Sequence, residues 1–152
     1  MSVQPGERAP DFTIETTAGT RTLAALLADG PLVLVFYTED ATPLCTAQVC
    51  AFRDEFATLR DLDAQVLAVS ADDLASHRRF AERQGGLPFP LGTDPDLALA
   101  RAYGVMAEDG KRSRRAVFVI GRDGTVTAVN DRYQPQDMTQ FAAVFAALGL
   151  PM

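Results

Sequence analysis

The sequence predicts an α/β fold: a central mixed sheet flanked by helices, with a β-hairpin at its N-terminal end. Three observations carry that expectation. The apolar pattern switches repeatedly between strand and helix periods along the chain. Two continuous apolar runs, "PLVLVFYT" from 31 and "QVLAVS" from 65, have the composition of strands buried on both faces, and each leads into residues at helical spacing. Further on, "RRAVFVI", "GRDG" and "TVTAVN" read as strand, turn and strand, an antiparallel pair.

Taken in order, "DFTIET" and the residues around Arg21 suggest the small hairpin, followed by a short helix through Leu23, Leu26 and Leu27 that ends at Gly30-Pro31. After the first buried strand, Thr42 and Pro43 are well placed to start a helix in which Val49, Phe52, Phe56 and Leu59 form the core stripe. The second buried strand leads to a helix from about Asp73 to Gln84, capped by Asp72 or Ser70 and stopped by Gly85-Gly86. A short helix from Pro95 to Tyr103 ends at Gly104, and after the antiparallel pair "MTQFAAVFAAL" forms an amphipathic helix capped by Asp137. Two crossover-linked strands, a hairpin and a last helix make the thioredoxin-like plan.

Composition bounds the function. A chain of 152 residues with 47% apolar and 22% charged residues can bury one ordinary core, so one domain is expected over 1–152. A net charge of −6 repels a phosphate backbone, and "KRSRR" at 111–115 is too short a basic cluster to reverse that, so no nucleic-acid partner is expected. No run approaches the roughly 20 apolar residues of a membrane span, and "MSVQPGERAPDF" lacks the charged head and apolar run of a secretion signal. The expected location is the cytoplasm, with no membrane partner. There thiols are kept reduced, and a cysteine pair is more often catalytic, redox-sensing or metal-binding than a structural staple.

The two cysteines of the chain, Cys45 and Cys50, both lie in "FYTEDATPLCTAQVC". Cys45 falls in the first turn of the helix after the first central strand, at the strand's carboxyl end, where open α/β sheets bind ligands. Free backbone N–H groups and the positive end of the helix dipole stabilise an anion there, which makes Cys45 a candidate thiolate. Cys50 lies five residues on, and regular helix geometry puts the two Cα atoms roughly 8.6 Å apart, beyond the ~7 Å limit for a disulfide. Bonding them requires the helix to unwind. The spacing does not match the C-x-x-C of dithiol oxidoreductases, and two cysteines with the single His77 fall short of the four ligands of a zinc site, so no metal is expected. The remaining alternative is a pair of small buried apolar side chains.

The segment "FYTEDATPLCTAQVCAFRD" resembles the peroxidatic segment of the peroxiredoxins, specifically the Q-type (bacterioferritin comigratory protein) subgroup of the AhpC/TSA family. The likeness extends to "GERAPDF", "LAVSADD" with His77 and Phe80, "FPLGTDPDLALARAYGV" and "RRAVFVIGRDGTV", nearly the whole chain and in the right order. The resemblance implies that Cys45 is the peroxidatic cysteine, Cys50 the resolving cysteine, Thr42 the active-site hydroxyl and Arg115 the catalytic arginine. Pro43 supports the site, and Gln48 stands where the family carries Glu or Gln. It further implies a monomer that reduces hydrogen peroxide and small organic hydroperoxides without metal or organic cofactor, forms a Cys45–Cys50 disulfide, and is recycled by thioredoxin or a similar dithiol protein. One position departs: the family usually has Pro seven residues before the peroxidatic cysteine, and this chain has Thr38. That proline shapes the pocket and shields the thiolate, so the departure bears on efficiency more than on the reaction. The alternative from another class is a redox-sensing thioredoxin-fold binding module that uses the same disulfide without turnover.

Ionisation alone does not make a fast peroxidase. A thiol whose pKa falls by ~2.5 units gains roughly 30-fold in thiolate at neutral pH and gives back roughly 10- to 18-fold in nucleophilicity. The transition state, with charge spread along the breaking O–O bond, must be met by donors fixed in advance, and Thr42, the backbone N–H near Cys45 and the planar fork of Arg115 are the candidates. Plainer readings apply elsewhere: Arg112 and Arg114 as solvated loop charges, His77 as surface or packing, and Glu39 and Asp40 as loop carboxylates.

Overall fold

The computed structural model describes residues 2–149. Its elements are β1 (Thr13–Thr16), β2 (Gly19–Thr22), α1 (Leu23–Asp29), β3 (Leu32–Phe36), α2 (Pro43–Asp54), α3 (Phe56–Asp61), β4 (Gln65–Ser70), α4 (Leu74–Arg83), β5 (Leu91–Thr93), α5 (Ala98–Tyr103), β6 (Ala116–Ile120), β7 (Val126–Asn130) and α6 (Met138–Ala147). One sheet runs in the order β2-β1-β5-β4-β3-β6-β7. It is mixed: β3, β4 and β5 pair in parallel, while β6 lies antiparallel to β3, and the β1–β2 hairpin joins antiparallel to β5. The α/β expectation, with its mixed sheet and N-terminal hairpin, is met.

The two-residue period of the strands sorts the core into two layers. Leu32, Leu34 and Phe36 of β3, with Ala116, Phe118 and Ile120 of β6, face α1 and α5. Val33, Val35 and Tyr37, with Val117 and Val119, face the side covered by α2, α3, α4 and α6. Because β3 and β6 are buried on both faces, their continuous apolar composition follows directly. At Gly30, between α1 and β3, an added side chain would run into the Asp63 carbonyl oxygen, so the crossing there admits only glycine.

Four local features differ from the sequence expectation. The stripe Val49, Phe52, Phe56, Leu59 is buried or half-buried but belongs to two helices, since the chain breaks at Glu55 between α2 and α3. Asp73, not Asp72 or Ser70, caps α4 by accepting from the Ser76 N–H. The helix expected from Pro95 begins at Ala98, after Leu97 takes a left-handed conformation. Three residues, Leu91–Thr93, form β5 between β4 and β1, although they carry no strand pattern of their own.

Candidate active site

The segment between β3 and α2 makes a tight return. Ala41 adopts φ 68°, a left-handed conformation that costs a non-glycine residue about 1 kcal/mol or more. That turn brings Thr38 back onto the helix start. The Thr38 hydroxyl lies 2.8 Å from Cys45 Sγ, and the Thr38 backbone N–H donates to the same sulfur at 3.4 Å. Cys45 is fully buried in the layer beneath α2, while Cys50 is half-buried, and both thiols are free. Burial pushes the Cys45 thiol up; the hydroxyls of Thr38 and Thr42 and the backbone N–H groups of Glu39 and Thr38 outweigh it and hold the thiol below its ordinary value. Burial pushes the Cys50 thiol up and prevails there, so its ordinary state is the neutral thiol.

Pro43 occupies the first turn of α2, and Thr42 stands at the N-cap position with extended backbone. Its hydroxyl caps nothing: besides its part in holding the Cys45 sulfur it makes a long contact, 3.4 Å, to the Glu39 carbonyl. No acidic side chain lies in the first turn either. The helix terminus therefore presents its N–H groups without an internal anion, the arrangement that favours an external negative charge.

Gln48, one turn beyond Cys45, is buried and donates from Nε2 to the Phe36 carbonyl at 3.0 Å, tying α2 to the end of β3. Gln48 Oε1 and Arg115 Nε are buried polar atoms without a partner among the described residues. Arg115 directly precedes β6 and, together with Thr38, Ser113, Arg132 and Tyr133, lines a cavity of about 270 Å³. Burial, then Asp137, pushes Tyr133 up to about 12, so its hydroxyl remains a donor. A larger cleft of about 560 Å³, lined by Arg8, Leu23, Leu27 and Arg122, contains neither cysteine.

Arg114 is no solvated loop charge. It is half-buried and donates to the carbonyls of Asp131 at 3.1 Å and Gly104 at 3.2 Å, with a longer contact to Met106. Arg112 does pair at the surface, with Glu39 at 3.1 Å and Asp109 at 3.3 Å.

Sequence reasoning missed the network behind the loop. His77 is completely buried on α4, with Nδ1 2.8 Å from Asp40 Oδ2 and Nε2 2.9 Å from the Gly92 carbonyl. Both of these neighbours are acceptors, and the Tyr37 hydroxyl also lies 3.3 Å from Nδ1. Asp40 also accepts from Tyr37 at 2.6 Å and Ser76 at 2.8 Å. Burial works against its charge, but the bonds from His77 and Tyr37, the charge of His77 and the bond from Ser76 hold its carboxyl below the ordinary range. Asp72 lies close enough to Asp40 and His77 for the three to bring ligand atoms within 4.8 Å. Asp72 is itself engaged by the Asp40 N–H and the Ser70 hydroxyl, so hydrogen bonds satisfy the cluster without an ion. The only signal in the sequence was the juxtaposition of Ser76 and His77 with a preceding Asp pair, which spacing alone does not connect to Asp40.

A buried thiol at an uncapped helix start, joined through Thr38 to an arginine-lined cavity, makes a candidate thiol site on a thioredoxin-like sheet. Residues 5–129 match the AhpC/TSA family, and the chain belongs to that family. It is 35% identical over 136 residues to peroxiredoxin Q, chloroplastic, of Oryza sativa subsp. japonica, covering 88% of this chain and 62% of that one, so the chain spans about three-fifths of these plant relatives. A protein of Coxiella burnetii named as peroxiredoxin bcp is 35% identical over 135 residues, covering 85% of this chain and 89% of its own. Among solved structures, peroxidoxin BcpB from Mycobacterium tuberculosis superposes with a TM-score of 0.86 at 30% identity, covering 96% of each chain. The reduced 2-Cys peroxiredoxin of Plasmodium vivax, at 20% identity and a TM-score of 0.82 over 95% of this chain and 96% of that one, shares the fold. Among the described residues no helix is long and apolar enough to cross a membrane.

Proposed function

We propose that the chain is a thiol peroxidase of the peroxiredoxin Q type, acting as one domain on hydrogen peroxide and small organic hydroperoxides. The observation that carries this reading is the Cys45 sulfur, buried yet held below its ordinary pKa by hydrogen-bond donors at an uncapped helix start. The relatives named peroxiredoxin Q and bcp support it.

In the first step the Cys45 thiolate attacks the nearer peroxide oxygen. An S–O bond forms and the O–O bond breaks; sulfur loses two electrons, the peroxide gains them, and the departing alkoxide or hydroxide takes a proton. The product is a Cys45 sulfenic acid. Arg115, whose Nε–H is a buried donor with no protein partner among the described residues, is the group we assign to meet the charge developing on the peroxide oxygens. Thr42 and Gln48 complete the surroundings, and Pro43 sets the helix start. In the second step the Cys50 thiol displaces water from the sulfenic acid, forming an intramolecular disulfide. The two residues lie within one continuous helix, so this step needs α2 to open. A dithiol protein of the thioredoxin kind then reduces the disulfide. We assign the chain to the cytoplasm as a monomer, although the plant relatives are named chloroplastic.

The test is peroxide consumption with a thioredoxin system. Cys45→Ser should abolish it with the fold intact; retention of a tenth of wild-type turnover overturns the reading. Cys50→Ser should consume one fast equivalent and leave a sulfenic acid that dimedone traps. Wild-type protein that forms the disulfide but does not turn over would instead indicate a redox-sensing binding module.

A further inference from the structure

We propose that Thr38 is a catalytic residue whose hydroxyl and backbone N–H together hold the Cys45 sulfur as the reactive thiolate, a role resting on the reading of Cys45 as the attacking nucleophile. The hydroxyl lies 2.8 Å from Sγ and the N–H 3.4 Å from it, and among the described residues neither group has another partner. A backbone N–H can only donate, so the sulfur facing it is an acceptor, and a hydroxyl is free to rotate its proton toward the same atom. Hydrogen bonds to an ionised acceptor are about twice as strong as neutral ones. Cys45 has no solvent exposure, so water does not compete for this duty. Thr38 also lines the cavity that holds Arg115, so the residue that contacts the sulfur also borders the space a peroxide would enter. A proline at this position would remove both donors, having neither hydroxyl nor N–H.

The chemistry sets the kind of effect. During attack, negative charge leaves the sulfur for the peroxide oxygens, so a donor aimed at sulfur stabilises the starting thiolate more than the transition state. Thr38 then lowers the pH at which the protein becomes reactive, alongside Thr42 and the Glu39 N–H, and costs some intrinsic nucleophilicity above that pH. Several of the charged groups nearby are already engaged. On the same loop Glu39 pairs with Arg112 and Asp40 with His77, while Arg114 is bound to backbone carbonyls. Arg115, Arg132 and Tyr133 remain in the wall of the cavity, with Lys111 and Asp72 at the pocket on the other side of Thr38, and a change at Thr38 removes none of them.

The experiment compares wild type with Thr38→Val, Thr38→Ala and Thr38→Ser in two readouts on the reduced protein: site-resolved iodoacetamide alkylation of Cys45 against pH, and the second-order rate of hydrogen peroxide consumption against pH. Valine and alanine should each move the alkylation midpoint upward by about one pH unit. Serine should stay at the wild-type midpoint. Below both midpoints the valine variant should react roughly threefold more slowly with peroxide, and on its high-pH plateau up to roughly threefold faster. Midpoints of valine and alanine that coincide with wild type overturn the proposal, as does a serine variant that fails to restore the wild-type value. A high-pH plateau lowered tenfold also overturns it, because the hydroxyl would then act on the peroxide rather than on the sulfur. Wild-type protein inert to peroxide at every pH refutes the peroxidase reading, and with it the catalytic role of Thr38, whereas active wild type matched by valine in both readouts refutes Thr38 alone.

Discussion

Helices α2 and α4 lie on the same face of the sheet, have similar lengths and touch near their C-terminal halves, yet they are built to opposite specifications. Helix α4 is closed at its start: Asp73 accepts from the Ser76 N–H, and the first turn buries His77 against Asp40. Helix α2 has no capping side chain and no acidic residue in its first turn, and it begins from a strained Ala41. A missing cap is worth about 1 kcal/mol of helix stability. The difference teaches which helix serves as frame and which as moving part. Leaving α2 uncapped keeps its N–H groups available to an anion and lowers the cost of opening it. Where the helices meet, the frame holds the moving part lightly: Gln84 accepts from the Cys50 thiol at 3.4 Å and, through its carbonyl, from Arg53 at 2.7 Å. Phe52, packed against Phe141 and Tyr133 with ring centroids 5.1 and 6.5 Å apart, marks where the opening should stop.

The comparison can be broken most severely at the frame. Asp40→Asn disrupts the buried carboxylate that His77, Tyr37 and Ser76 bond and should cost about 3 kcal/mol or more, read by urea unfolding. The wild-type pair also predicts an acid limb. The folded Asp40 pKa is depressed, so its contribution is present above the ordinary value of 3.8 and lost as the pH falls below it; the variant should lack that part of the slope. Equal stability of both proteins at neutral pH would show that the pair is no anchor.

Hydrogen exchange comes next. On oxidation, amides from 43 to 51 should lose protection by about a hundredfold while α4 keeps its own. Unchanged protection of α2 would move the resolving event elsewhere. Arg115→Ala should slow the peroxide step about a hundredfold, the usual scale for one preorganised donor. Arg114→Ala should act chiefly on stability, and a larger rate effect from Arg114 would exchange the two assignments. The smallest effect is expected from Gln84→Ala. Freed from its acceptor, Cys50 should form the disulfide about fivefold faster, measured after one equivalent of peroxide.

Much of the frame was legible because strands buried on both faces and amphipathic helices write their period into the sequence. The hairpin, β3, β4, β6, β7 and the Asp137-capped α6 all follow from such patterns. What escaped were features that period cannot encode. The stripe from Val49 to Leu59 stays in phase across the break at Glu55, so apolar spacing alone runs straight through it. In "SADD" three side chains can accept a capping bond, and only the path of the backbone selects Asp73. β5 is strand because two neighbours supply its partners, not because of its own residues. The site divided in the same way. Cys45 and Cys50 stand out by position and type, whereas the Asp40–His77 pair spans 37 residues and Thr38 reaches Cys45 only through a left-handed alanine.

The antiparallel pairing of β3 with β6 has one more consequence. Phe36 faces Ala116 and Leu32 faces Ile120, a frame that fixes where Arg114 and Arg115 lead into the strand. The chain offers two identical side chains in succession, both lining the cavity beside Thr38, and their bonding separates them: Arg114 is held by backbone carbonyls, while Arg115 keeps a buried Nε–H without a partner among the described residues. Inserting or deleting a single residue just after Arg115 would preserve composition, charge and nearly every motif while shifting which guanidinium is held by the carbonyls and which is left with an open N–H. The molecule should therefore tolerate length changes in the turn at 121–124 and be intolerant of them between Arg115 and Phe118, a contrast that a scan of single-residue insertions would display directly.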